Sequence, residues 1–184
     1  MPETEQKIIQ QTKQWVQQVV IGCGFCPFAN KVVLDNSIHY VVVEGAALHL
    51  HSGIVLDELK RLDNDSSIET TLVIFPDAYE HFSAYLNFLK QTEKQSLRKG
   101  YEGIYQIASF HPLYVFAGAD EDDAANYTNR SPYPMLHLLR EESLSKAISF
   151  YPNAEAIPER NIQFAQQKGL EYMQELWKKS KQYP

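Results

Sequence analysis

Between Ser109 and Glu142 the chain reads SFHPLYVFAGADEDDAANYTNRSPYPMLHLLREE, and no other stretch is so dense in groups able to do chemistry. His111 and His137 suit proton transfer at neutral pH, because an unperturbed imidazole titrates near ~6.5. Arg130 offers a bidentate grip on a carboxylate or phosphate. The acidic run Asp120-Glu121-Asp122-Asp123 is a solvated loop tip, or else Asp122 or Asp123 orients a histidine, pairs with Arg130 or binds a hard cation. Its spacing matches no calcium-binding loop. Asn126-Tyr127-Thr128-Asn129-Arg130-Ser131 adds amides, hydroxyls and a guanidinium. Ser131 before Pro132 reads as a helix N-cap with proline at the first helical position, and such ends attract anions. Two readings of Arg130 stand side by side: it grips an anion with Asn126, Asn129 and Ser131, or it pairs with Asp122 or Asp123 and pins the loop. A loop this long in a compact domain is functional or disordered, and its aromatic content argues against disorder.

Helical spacing after Pro134 would put His137, Arg140 and Glu141 at i, i+3 and i+4, on one face. His-x-x-x-Glu can give two metal ligands but lacks a fixed third. His137, between Leu136 and Leu138, also fits a buried, hydrogen-bonded histidine. Upstream, Cys23-Gly24-Phe25-Cys26-Pro27 has the C-x-x-C spacing of dithiol redox proteins. That chemistry needs the first cysteine at a helix start following a strand, and here the motif follows a helix. Cys23 is therefore expected to be a buried, inert thiol. Cys26 remains a candidate nucleophile with His111 or His137 as its base.

The elements that must position these groups follow from periodicity. Apolar residues from Thr4 to Ile21 recur at helical spacing, and Gly22 and Gly24 end that helix. Lys31–Leu34 is a short strand or loop edge. His39–Val43, Thr70–Phe75 and Tyr105–Phe110 read as strands, being β-branched and aromatic. Gly45–Leu62, Ala78–Leu97, Pro134–Phe150 and Pro158–Lys181 read as helical, the last two forming the C-terminal part. Strand and helix alternation predicts βαβ units and an α/β fold with a small, mainly parallel sheet, carrying extra N-terminal and C-terminal helices. No linker or repeat splits the chain, so residues 1–184 are expected to form one domain. Parallel strands would bring Glu44, Asp77 and His111, each just past a strand, to one rim, where open α/β sheets bind ligands.

Bulk properties narrow the functions. The 184 residues carry a formal net charge of −6, which argues against a broad nucleic-acid footprint. No apolar run approaches the ~20 residues that cross a bilayer, and the N-terminus has no basic-then-apolar leader. A cytoplasmic protein with reduced thiols is expected.

Cys26-Pro27-Phe28-Ala29, Ser109-Phe110-His111-Pro112, Phe116-Ala117-Gly118, Asp122-Asp123, the block from Asn126 to Glu141, and Glu159-Arg160-Asn161-Ile162 together resemble the bacterial Domain of Unknown Function 1415 family. The resemblance spans nearly the whole chain and brings no established activity. It implies that Cys26, His111, Asp123, Asn126, Asn129, Arg130, His137, Arg140, Glu159 and Arg160 stand at the family's motif positions. Against the pattern the resemblance implies, Cys23 is peculiar to this chain, and Leu113 departs from an acidic residue expected after His-Pro.

The leading expectation is an enzyme acting on a small anionic metabolite. Arg130, Asn126, Asn129, Ser131 and Arg140 would bind it; His111 would serve as general acid or base with Asp123 orienting it, and Cys26 as nucleophile with His111 or His137 as its base. A metal site using His111, His137 and an acid from Asp122, Asp123 or Glu141, non-catalytic ligand binding, and a purely structural loop are the alternatives. The sequence leaves any cofactor and the oligomeric state open.

Overall fold

Thr70–Ile74 (β2) is buried along its whole length, as its β-branched run requires. It is an inner strand. The computed structural model describes residues 3–182, and in them a four-stranded sheet has the order β1-β2-β4-β3, with β1 Ile38–Val42, β3 Tyr105–Phe110 and β4 Met135–Arg140. Seven α-helices surround it: α1 Glu3–Trp15, α2 Ala29–Leu34, α3 His51–Asn64, α4 Phe82–Arg98, α5 Glu141–Ser149, α6 Ile157–Lys168 and α7 Leu170–Ser180. None of the helices among the described residues is long and apolar enough to cross a membrane.

Side chains alternate between the two faces of the sheet. Leu72, Ile74 and Met135 pack with Trp15, Val16, Val19, Ala165 and Met173 of the terminal helices. Val73, Leu136, Leu138 and Tyr105 pack on the opposite face with Val55, Leu59 and Leu62 of α3 and Tyr85 and Phe88 of α4. Both faces are covered, so the inner strands are apolar on both sides.

The structure corrects three expectations. The sheet is mixed, not mainly parallel: β1 and β2 pair in parallel, while β4 pairs antiparallel with both β2 and β3. The segment after Pro134 is not one helix. It is strand β4 followed by α5, because Met135–Arg140 fills the gap between β2 and β3 and gains ladder bonds on both sides. His137 and Arg140 therefore lie on opposite faces of a strand rather than on one face of a helix. Lys31–Leu34 belongs to helix α2. One consequence of the expected topology survives, since β1, β2 and β3 still run in one direction with β4 reversed among them. Their carboxyl ends share a rim, together with the amino end of β4.

The first helix passes into a π-helical turn, Val16–Ile21, closed by the bond from the Gly22 N–H to the Gln17 carbonyl. A Cβ on Gly22 would lie 2.2 Å from the Gln18 carbonyl oxygen, whereas one on exposed Gly53 in α3 would meet nothing within 4 Å. Gly22→Ala should therefore cost about 2–3 kcal/mol, and Gly53→Ala should gain about 0.5–1 kcal/mol. Urea unfolding of the two variants checks both signs.

Candidate functional site

The shared rim holds a cleft of about 490 Å³, lined by Pro76–Glu80 after β2, His111–Leu113 after β3, Pro132–Pro134 before β4, and Lys181 beyond α7. Its floor is set by Tyr79, whose backbone sits at φ +59°, a left-handed conformation that non-glycine residues adopt only under constraint. The constraint is two histidines. His111 donates its Nε2–H to the Tyr79 carbonyl at 2.7 Å, while its Nδ1 accepts the Leu113 N–H at 3.0 Å. His51 is bonded to the Ala46 carbonyl through Nε2 (3.0 Å) and to the Tyr79 hydroxyl through Nδ1 (2.9 Å). The Nε2–H of His51 donates to that carbonyl, so Nδ1 accepts the phenolic proton. The Tyr79 ring stacks on Phe88, with centroids 4.4 Å apart and planes 13° apart.

His111 is 1 % exposed, and its ring packs against Phe82 and Tyr85. Burial holds its pKa below the ordinary imidazole value, opposed by the bond to the Tyr79 carbonyl. Both ring nitrogens are engaged by backbone, so His111 positions the β2 and β3 exits relative to each other. Tyr85 reinforces this by donating to the Met135 carbonyl at 2.8 Å and accepting the Phe110 N–H at 3.1 Å.

Asp77 and Glu80 lie exposed at the mouth of the cleft. The Tyr133 hydroxyl donates to Gln11 Oε1, and Gln11 Nε2 donates to the Lys181 carbonyl. This buried amide of α1 ties two cleft residues together. Burial raises the Tyr133 phenol, and the Asp77 charge adds to it. Burial also lowers the Lys181 ammonium below the usual lysine range. Its Nζ lies 4.4 Å from the Trp177 ring centroid, and among the described residues no carboxylate is within ion-pair distance of it.

Most of the polar groups singled out in the 109–142 stretch are turned to the backbone. Arg130 donates to the carbonyls of Tyr114 (3.1 Å) and Glu121 (2.8 Å), with its guanidinium 4.6 Å from the Tyr127 centroid. Asn126, fully buried, accepts the Phe116 N–H and donates to the Asp120 carbonyl. Asn129 donates to the Ser109 carbonyl, and the Ser131 hydroxyl to the Tyr133 carbonyl. Asp123 caps the 3-10 turn Ala124–Thr128 through the Ala125 N–H and accepts from Gln166 of α6. Ser131 starts no helix; it leads into the extended entry to β4.

The remaining candidates lie elsewhere. His137 is inside β4, its Nε2 2.6 Å from Thr70 Oγ1. The Thr70 hydroxyl proton goes to the Leu138 carbonyl, so His137 is the donor to Thr70. Arg140 is at the opposite rim, donating to the carbonyls of Leu62, Asp65 and Ile68 and so satisfying the free carbonyl end of α3. Cys26 precedes α2. Burial raises its thiol pKa, partly offset by hydrogen bonds from the Phe28 and Ala29 backbone. Cys23 is also raised by burial, with Lys168 opposing. Arg160 and Asn161 of α6 donate to the Gly24 and Phe25 carbonyls, pinning the two-cysteine loop from the side.

His111, Arg130 and His137 therefore do not converge on one hollow: one backs the cleft, one braces a loop, one lies within the sheet. Among the described residues, no three of His, Cys, Asp and Glu come together as a metal-ligand set. Of the strand-exit residues named from sequence, Asp77 and His111 do meet at the cleft, whereas Glu44 is not part of its lining. Gln11, Tyr79, Tyr133 and Lys181 were missed. Only Tyr133 carried a local sign, lying between two prolines that favour extended chain before them.

A family model described as "Protein of unknown function (DUF1415)" matches residues 7–175. No curated protein and no solved structure matches the chain.

His137 and His111 make stability depend on acid. A base whose pKa is lower folded than unfolded binds fewer protons in the folded state, so protonation favours unfolding. Burial takes His137 from 6.5 to about 4. Its contribution should be intact above pH ~6.5 and lost as pH falls toward ~4, amounting to about 3 kcal/mol. Urea midpoints across that range should fall for the natural chain. A His137→Asn variant, though less stable at pH 7, should show a shallower fall; an unchanged slope would contradict this account.

Proposed function

Because the chain belongs to the DUF1415 family, whose description assigns no activity, we propose a function from the rim cleft itself: it binds a small anionic metabolite, with Lys181 taking the anionic group. The observation that supports this reading is that Lys181, its ammonium half-buried, lines a cleft of about 490 Å³ with no carboxylate at ion-pair distance among the described residues. Such a volume suits a small molecule. A partly desolvated cation gains from an incoming anion, because its Coulomb attraction is less screened than in bulk water. The Tyr133 hydroxyl oxygen, with its proton given to Gln11, accepts a further hydrogen bond from the ligand. Asp77 and Glu80 at the mouth accept from hydroxyl or amino groups on the ligand's other end.

An enzymatic form of this reading needs a proton carrier in the cleft. His111 has both ring nitrogens bonded to backbone, so that role falls to Asp77 or Glu80. Binding is the function we assign.

A thermal-shift and calorimetric screen of small carboxylates and phosphates tests it. A specific ligand at 100 times its dissociation constant should add ~2.7 kcal/mol of stability. Lys181→Met keeps the contact with Trp177 and removes the charge, and should weaken binding about 10–100-fold, the ~1.5–3 kcal/mol of a charged hydrogen bond. A ligand that binds Lys181→Met as tightly as the natural chain would overturn the assignment, as would a screen in which no anion binds.

A further inference from the structure

A second cleft, of about 390 Å³, opens beside β1, where α1, the π-helical turn and α2 flank the strand. β1 ends the sheet, so no further strand covers that side. Aliphatic side chains of α2 and β1 make the floor, while Gln10, Lys13, Gln14, Gln17, Asn36 and Tyr40 carry its polar groups. Gln10, Gln14 and Gln17 are spaced i, i+4 and i+7 and present a row of amides along one wall.

Most of these groups, with Gln10, Lys13, Gln17 and Asn36 exposed to solvent, make no hydrogen bond within the protein among the described residues. Gln14 donates to the Lys179 carbonyl through Nε2, which leaves its carbonyl oxygen. Among the described residues, the Gln10, Gln17 and Asn36 amides and the Tyr40 hydroxyl bond to no other protein group, although the Tyr40 ring is packed against the core. Lys13 Nζ stands 5.3 Å from the Tyr40 centroid with no carboxylate at ion-pair distance among the described residues. No Asp or Glu lines the cleft, although acidic residues outnumber basic ones, 23 to 17. The rim cleft differs in carrying Asp77 and Glu80 as well as a lysine.

We propose that this amide-walled cleft is a second ligand site, taking a polyhydroxylated molecule with a single anionic group. Each side-chain amide offers donors and an acceptor together, which matches hydroxyl groups that both give and take hydrogen bonds. The absence of carboxylates admits the anionic group, and Lys13 receives it. An apolar floor with a few convergent polar groups is the usual construction of a small-molecule site. This assignment is independent of the rim cleft.

Calorimetry and amide-resolved NMR with a hexose phosphate, gluconate, glucose and inorganic phosphate test it. At ~10 mM probe, tenfold above a millimolar dissociation constant, the hexose phosphate, gluconate or both should shift the side-chain amide signals of Gln10, Gln17 and Asn36. Lys13→Met and Tyr40→Phe should each weaken that binding about fivefold or more, ~1 kcal/mol, while Lys181→Met leaves it unchanged. Silence of those amides with both polyol anions would overturn the proposal. So would equal shifts from inorganic phosphate alone, which would reduce Lys13 to an ordinary surface cation, or glucose binding as tightly as the anions.

Discussion

The rim depends on a backbone held in an unfavourable conformation. A non-glycine residue at positive φ costs on the order of 1–3 kcal/mol, and Tyr79 sits at φ +59°. Against that stand the two hydrogen bonds from His111 and to His51, about 0.5–1.5 kcal/mol each. The stack on Phe88 adds about 0.5–1.5 kcal/mol beyond its buried area. The balance favours the clamp while the His111 imidazole is neutral with its proton on Nε2. A proton on Nδ1 of His111 would face the Leu113 N–H, donor against donor. The clamp orders the loop after β2, and the same histidine carries the loop after β3, so the cleft walls are set by one linked group.

The density of charged and amide groups between Ser109 and Glu142 was legible in the sequence; their use was not. A long connection leaves many carbonyls and N–H groups without a strand or helix partner, and each must be satisfied when buried. Arg130, Asn126, Asn129 and Asp123 meet that demand. The same residue types would serve an anion equally well, and only the distances to carbonyls far along the chain separate the two. Arg140 shows the principle most plainly, since its partners in α3 and the following turn are more than 70 positions away.

Elements with strong local character were readable. The β-branched runs became β1 and β2, and the amphipathic segments became α1, α3 and α4. Met135–Arg140 was not, because Met, Leu and Arg favour helices and the segment lacks β-branched residues. Its place between two strands outweighs that preference by supplying hydrogen bonds on both edges and apolar cover on both faces. Two prolines just upstream also favour extended chain before them. Losing β4 also misplaced His137 and Arg140, so one wrong period produced a false shared face.

Chemistry at the rim is limited by its proton inventory. A general base must reach its proton and titrate near the working pH. His111 has both nitrogens occupied by backbone, and burial lowers its pKa from the ordinary imidazole value. His137 is lowered further and lies within the sheet. The Cys26 thiol is raised by burial and sits by α2. What lines the cleft is a lysine with a partly desolvated ammonium, a phenol whose proton is committed, and two exposed carboxylates. On the proposed reading, that set would discriminate charge and hydrogen-bonding pattern, with the clamp beneath it fixing their spacing. Recognition of a ligand follows from such an arrangement more directly than turnover does.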